Sequence, residues 1–338
     1  MQDPRYGGSV LPDSHPYLRR LTSSHVDRHG LQRRDEDWLE SIWQQSDTHV
    51  LYVERGRALI STGEQAGDSG ETGVPHLQLV PAEGPLPEEA VYLGEVPAEH
   101  SPLRPDASAI GHVVAVSLTD LSEAHGSSAN AENVMTADLR AIGHVLPAVE
   151  AELLTYAAAV TTWHASSAFC SGCGGTTRVA SSGWERTCTQ CGTSHYPRTD
   201  PAVITAVIDA EDRLLLGSAQ RWESSRFSTF AGFVEAGESL EDAVVREVQE
   251  EAGIVVERVE YAGSQPWPFP RSLMVGFFAH TSDTNASADD EEIREVRWFT
   301  RRELRDEVVS GAVTLPPRSA VSYALIAAWY GGTLPEPA

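Results

Sequence analysis

"AGFVEAGESLEDAVVREVQEEAGI", residues 231–254, places seven acidic residues and three glycines in 24 positions. Ser239, followed by Leu-Glu-Asp, has the form of a helix N-cap with an acidic first turn. Gly253 ends the segment as a C′ glycine does, so the stretch predicts a helix from Ser239 to Ala252. On it Glu247, Glu250 and Glu251 stand at i, i+3 and i+4 and share one face within a turn, where like charges repel. Leu240, Ala243, Val244 and Val248 form the neighbouring apolar side, which can bury the helix on a sheet. Two readings follow. The acidic face is either solvated or a cradle for hard divalent cations, which take oxygen ligands.

The surrounding register favours the cradle. Gly232, five residues, Glu238, seven residues, Arg246-Glu247, an aliphatic, any residue, Glu250-Glu251, any residue, Gly253 and an aliphatic form a long specified pattern. It resembles the Nudix box and matches it at every fixed position. The resemblance implies an α+β Nudix fold, a mixed sheet between helices, with Mg²⁺ or Mn²⁺ held by the loop–helix carboxylates. It implies Glu247 and Glu251 as metal ligands with Glu250 beside them, the Ala231 carbonyl as a further ligand, and Glu251 as the residue that orients or deprotonates water. The catalytic set is therefore Glu251, Glu250 and Glu247. Arg246 is expected to fix the loop by pairing with Glu235 or Glu238. Bound ions of this kind polarise a diphosphate oxygen and lower the pKa of an attacking water.

The only four cysteines form Cys170-Ser-Gly-Cys173 and Cys188-Thr-Gln-Cys191, separated by fourteen residues. That spacing predicts one tetrahedral Zn²⁺ per chain with no open position, hence a structural ion; two disulfides or idle thiols are the alternatives. Further on, "SQPWPFPRS" (264–272) sets three prolines around Trp267 and Phe269. It predicts a rigid, extended segment without an ordinary strand ladder that exposes two large rings. Those rings are either a stacking shelf for a flat ligand or a cap on the core.

Continued by Ser272-Leu273-Met274, this stretch resembles the signature of the NADH pyrophosphatase family, whose members also carry a four-cysteine site ahead of the catalytic domain. "HYPRTDPAVI" (195–204) is similar to that family's junction between the two. The likeness covers about residues 136–330. It implies hydrolysis of NAD(H) to NMN(H) and AMP, removal of NAD caps from RNA 5′ ends, and a homodimer. It assigns substrate contacts to Ser264, Gln265, Pro266, Trp267, Pro268, Phe269, Pro270, Arg271, Tyr196, Arg140 and Ser322, and a downstream metal ligand to Glu292. Two positions depart from the pattern: Ser167 stands where a histidine is common, and Ser322 where alanine is usual.

Composition narrows the remaining choices. The 338 residues carry 25 basic and 49 acidic side chains, a net charge of −24. Every basic residue is Arg, which removes lysine Schiff bases and P-loop lysines. Such a balance argues against a broad nucleic-acid face, leaving Arg19-Arg20 and Arg33-Arg34 as local patches. No apolar run approaches the roughly 20 residues that span a bilayer, and "MQDPRYGGSV" lacks a signal-peptide pattern, so a cytoplasmic protein without membrane contact is expected.

Apolar runs at 49–60, 76–83, 90–97 and 111–118 predict strands, 122–133 a polar loop, and the stretch from Thr136 two helices divided at Pro147. The expected domains are a β-rich, Nudix-like 1–135, linking helices 136–167, a zinc ribbon 168–196 and a catalytic Nudix domain 197–338. Two rival functions stand beside this reading: a Nudix hydrolase for ADP-ribose or a dinucleotide polyphosphate, and a non-catalytic zinc-ribbon regulator that senses nucleotides. The intact glutamate set argues against the regulator.

Overall fold

A computed structural model of the protein describes residues 25–62, 74–98, 111–127 and 134–336. Arg19-Arg20 and part of the 122–133 stretch lie outside them. The described residues divide into two compact units: 25–199 with Pro266–Ser272, and Asp200–Gln265 with 273–336.

The N-terminal unit is built on seven strands, β1 (His49–Glu54), β2 (Arg57–Thr62), β3 (Pro75–Leu77), β4 (Leu79–Pro81), β5 (Val91–Glu95), β6 (His112–Ser117) and β7 (Val134–Asp138). Their order is β3-β2-β1-β6-β5, with β4 paired to β1 and β7 to β2. The β1–β6 pair is parallel, so the sheet is mixed. Among the described residues three α-helices accompany it: α1 (Trp38–Trp43), α2 (Leu139–Ile142) and α3 (Ala148–Ser166). Pro147 is the N-cap residue of α3, so it divides the helical stretch as its missing N–H requires.

Thr136 lies in β7, paired to Leu59, and is no helix start; Asp138 then caps α2 through the Arg140 N–H. The expected polar loop begins as a short 3₁₀ helix, Leu121–Ser127. Leu153, Leu154, Ala157 and Val160 of α3 share one core with Leu51, Val53, Leu93 and Val113 of the strands. Glu150 is fully buried on α3, and its carboxylate accepts the Leu77 N–H at 2.6 Å and faces His76 Nδ1 at 3.0 Å. A buried carboxylate needs such partners. In the same unit β8 (Thr177–Ala180), β9 (Glu185–Cys188) and β10 (Ser194–His195) form a small antiparallel sheet around the cysteines.

The second unit contains β11 (Asp200–Asp209), β12 (Leu214–Ala219), β13 (Phe230–Phe233), β14 (Arg258–Trp267), β15 (Ser272–Thr281) and β16 (Ile293–Phe299), with helices α4 (Leu240–Ala252), α5 (Arg301–Val309) and α6 (Val321–Tyr330). Sheet order is β14-β15-β11-β12-β16, with β13 on β11. Alternation sorts the faces: Val203 and Val207 of β11 pack with Val244 and Val248 of α4, whereas Ile204 and Ala206 pack with Leu304 of α5 and Leu325 of α6. The sheet therefore lies between helices, as expected. Helices α1 and α5 have no counterpart in the sequence reading.

Candidate active site

Helix α4 begins as its sequence dictates. Ser239 accepts the Asp242 N–H, and Gly253 closes the helix at φ +68°, a left-handed conformation that favours glycine. Burial of Ala243, Val244, Val248 and Ala252 against the sheet fixes its rotation. Of the three glutamates, Glu251 is buried, Glu247 half-buried and Glu250 exposed. Glu251 receives the backbone N–H of Ala231, while its Oε2 is buried with no hydrogen-bond partner. Burial pushes its carboxyl up to about 8, and the charges of Glu247 and Glu292 push in the same direction. Burial also raises Glu247. Glu247 lies against Gly232, where an added Cβ would fall 1.9 Å from its carboxyl carbon. Glycine there leaves the Glu247 carboxylate its place, which explains that position of the register.

Arg246 fixes the loop between β13 and α4. Its Nε and Nη2 donate to the two Glu238 carboxylate oxygens at 2.8 and 2.9 Å, and Nη2 also reaches the Phe233 carbonyl at 3.0 Å. Its Nη1 donates to Glu247 at 2.8 Å and Glu250 at 3.1 Å. These hydrogen bonds pull Glu238 down to about 2. Of the two partners expected from sequence, Glu238 is the one used.

Glu292 is exposed, and its charge reaches both Glu247 and Glu251. Asp289, which the sequence reading missed, accepts the N–H groups of Glu292 at 3.1 Å and Ile293 at 2.8 Å and adds to the negative field at Glu251. Its signal is the run Asp289-Asp290-Glu291-Glu292. Ala231 meets Glu251 through its N–H and pairs with Ile204 in β13. Arg246 pairs with only Glu247 and Glu250 of these five carboxylates, and the orphaned buried oxygen of Glu251 is the kind of donor a hard divalent cation takes. The donors are all oxygen, as such an ion requires, although among the described residues no three of these carboxylates bring ligand atoms within 4.8 Å of one another.

The aromatic segment differs from its reading. Strand β14 runs through Trp267, so the ladder continues to that ring. Trp267 and Phe269 are half-buried, packed on the apolar core of the N-terminal unit and edge-to-face at 5.1 Å. The Arg140 guanidinium lies 4.1 Å over the Phe269 ring. Of the other expected contact residues in this unit, Pro268 is buried, Pro266 and Arg271 half-buried, and Pro270 and Tyr196 exposed. In the second unit Ser264 is exposed, and Gln265 is buried with its Nε2 donating to the Ser319 carbonyl at 3.1 Å and its Oε1 unpartnered. Ser322 is buried on α6 near the start of the helix. Three groupings therefore exist: the α4 carboxylates with Glu292, the stack of Arg140, Phe269 and Trp267, and Gln265 beside Ser319.

All four cysteines are free thiols whose ligand atoms lie within 4.8 Å of one another, with Sγ–Sγ distances of 3.7 Å (Cys170–Cys191), 3.5 Å (Cys173–Cys188) and 3.5 Å (Cys173–Cys191). Tetrahedral Zn–S bonds of ~2.3 Å require about 3.8 Å between sulfurs, so the cluster is set for zinc, and disulfides are excluded. Backbone N–H groups of Gly172 and Gln190 point at Cys170 and Cys188 from 3.4 Å, as expected in metal knuckles.

Three family models match in tandem: a rudimentary NUDIX domain of the NADH pyrophosphatase-like kind over residues 47–163, an NADH pyrophosphatase zinc ribbon over 165–196, and a NUDIX domain over 198–317. With this fold and carboxylate helix, the chain belongs to the Nudix superfamily. The ribbon and the rudimentary domain are both of the NADH pyrophosphatase kind. It is 42% identical over 201 residues to the NAD-capped RNA hydrolase NudC of Mycobacterium bovis (strain BCG / Pasteur 1173P2), covering 57% of this chain and 64% of that protein. Human NAD-capped RNA hydrolase NUDT12 is 40% identical over 192 residues, 53% of this chain and 42% of its own. The chain thus spans less than two thirds of these relatives. A NUDIX hydrolase structure from Nitrosomonas europaea matches 40% of this chain and 78% of its own at 29% identity and a TM-score of 0.32.

Proposed function

We propose that the protein hydrolyses the diphosphate of NAD(H), giving NMN(H) and AMP, and removes NAD caps from RNA 5′ ends. The observation that carries the hydrolytic part is the buried, unpartnered Oε2 of Glu251 beside Glu247 and within the field of Glu292. The ribbon and rudimentary domain, of the NADH pyrophosphatase type, support NAD(H) as the substrate. Water adds to one phosphorus, the bridging P–O bond breaks, and the second phosphate leaves with the bridging oxygen. Glu251 orients that water and accepts its proton; Glu247 and Glu250 hold the acidic wall in place through Arg246. Glu247, Glu250, Glu251, Glu292 and the Ala231 carbonyl are the groups to hold Mg²⁺ or Mn²⁺. When bound, the ion neutralises diphosphate charge and acidifies water.

The remaining substrate contacts are assigned to Ser264–Arg271, Tyr196, Arg140 and Ser322. We place the enzyme in the cytoplasm as a homodimer. Among the described residues no helix is long and apolar enough to cross a membrane. The net charge of −24 directs recognition of capped RNA to the cap and not to the RNA body. Arg33 supports this, since it is half-buried with its guanidinium 4.5 Å over Trp184, and only Arg34 of that pair is exposed.

Chromatography of NADH, NAD⁺, ADP-ribose and a dinucleotide polyphosphate, each incubated with the protein and Mg²⁺ or Mn²⁺, tests the reading. NMN(H) and AMP are the expected products. Intact NADH beside cleaved ADP-ribose would replace the substrate, and no cleavage of any of them would favour a sensor.

A further inference from the structure

We propose a second metal site in the N-terminal unit, formed by His29, Glu95 and His112 and suited to a first-row divalent ion such as Zn²⁺. One ligand atom from each residue lies within 4.8 Å of the other two. Strand pairing builds this cluster. Glu95 and His112 are direct cross-strand partners in the antiparallel β5–β6 pair, so their side chains emerge side by side. Asp27 pairs with Glu95 on the outer edge of β5, exchanging N–H···O bonds of 2.9 and 2.8 Å, and this lays the segment carrying His29 along the same strand. Three separate pieces of chain thus deliver two imidazoles and one carboxylate to one place.

That ligand set is the kind that binds zinc and related ions with positions left open for water. His29 Nε2 stands 2.7 Å from Glu95 Oε2, and the Tyr92 hydroxyl stands 2.9 Å from His112 Nδ1. Ligand atoms of a tetrahedral ion with bonds of ~2.0–2.1 Å are about 3.3 Å apart. The His29–Glu95 contact therefore has to open by several tenths of an ångström, which side-chain torsions supply. Tyr92 fixes the His112 ring through one nitrogen and leaves the other for the ion, the role that outer partners play around metal-bound histidines. Trp38 packs edge-on to Tyr92 at 4.7 Å and 5.8 Å from the His29 ring, forming an apolar wall. The Glu95 side chain is 44% exposed, so an ion has a way in. The His29–Glu95 pair and the Tyr92–His112 hydrogen bond engage these side chains two at a time and do not explain why all three converge. A bound ion engages all three and clamps the His29 segment to the sheet edge.

The test uses the full chain with zinc already in the four-cysteine site, titrated with Co²⁺ in the absence of other divalent ions. One further Co²⁺ per chain is expected at this site, with d–d bands but no thiolate-to-cobalt charge transfer, and with the His29 and His112 imidazole resonances broadened. His29→Gln and His112→Gln should each abolish that ion, while Glu247→Gln/Glu251→Gln should retain it. The proposal fails if both histidine variants keep the ion, or if the glutamate variant alone loses it. Should the histidine variants not fold, unmoved His29 and His112 resonances at saturating Co²⁺ in the unmodified protein would overturn it equally.

Discussion

Glu251 holds one carboxylate oxygen with no protein partner in a buried place, an arrangement that is costly for a bare carboxylate and useful beside a bound cation. Glu251→Gln should lower turnover by at least about 10²-fold, the range for losing one electrostatic or acid–base group, measured as NMN(H) release at saturating metal. Its effect on stability has the opposite sign. Folding raises this carboxyl from 4.5 to about 8, so between those values the folded chain binds more protons than the unfolded one. Without Mg²⁺ or Mn²⁺, wild-type stability must then fall as pH rises through that window. The Gln variant escapes this loss, so its melting temperature should match wild type near pH 4.5 and exceed it progressively toward pH 8. Equal slopes would show that Glu251 is not held protonated. Gly232→Ala tests the wall itself. A Cβ there collides with the Glu247 carboxylate, and a displacement of about 1 Å can cost roughly 10²-fold in rate. The grouping of Glu247, Glu250 and Glu251 was legible from their i, i+3, i+4 spacing. Which of them is buried was not, because α4's rotation against β13 decides that and the spacing is silent on it.

Elements were read well where local rules govern and poorly where the sheet overrides them. Ser239 and Gly253 bound α4 by capping chemistry, and both ends stand where the pattern put them. The proline segment was misread because prolines usually break ladders. Strand β14 is an edge strand, and a proline's missing N–H is tolerated there when it faces away from the partner. The turn after it then folds Trp267 and Phe269 onto an apolar core that no local pattern announces. Phe269→Ala should accordingly lower stability by about 1–3 kcal/mol, less than the roughly 3–5 expected for a fully buried Phe, by denaturant melts. Unchanged stability would restore the picture of an exposed shelf. Arg246→Lys examines the loop before α4. Lysine cannot span both Glu238 oxygens and the Phe233 carbonyl together. Amide exchange across 234–239 should accelerate and turnover fall, with the melting temperature nearly unmoved. Retained protection of that loop would assign its order to something other than Arg246.

At the scale of the molecule, the cysteine spacing was the most legible feature, because four thiolates around one ion admit few arrangements. The packing of α3 into the N-terminal core was the least, since that helix is buried nearly all round and shows no amphipathic stripe to read. Zinc and the N-terminal sheet meet through the ribbon. Trp184 donates its indole N–H to the Tyr92 carbonyl at 2.7 Å, and Gly183 approaches Val91 so closely that an added Cβ would fall 2.7 Å from its Cα. Structural zinc contributes roughly 10–16 kcal/mol in isolated finger peptides, as much as the ~5–15 kcal/mol that holds a whole domain folded. The ribbon has a three-stranded sheet and little core of its own, so it cannot stand without the ion. Stripping the zinc with a thiol-reactive mercurial and a chelator should release one ion per chain from the cysteines. Amide protection should then vanish across 170–195 and weaken in Val91–Glu95, whose neighbour it has disordered. Leu240–Ala252 should keep its protection, because its core lies among the strands of the second unit. If the stripped ribbon retains protected amides, its fold rests on packing, and the four cysteines are not what holds it.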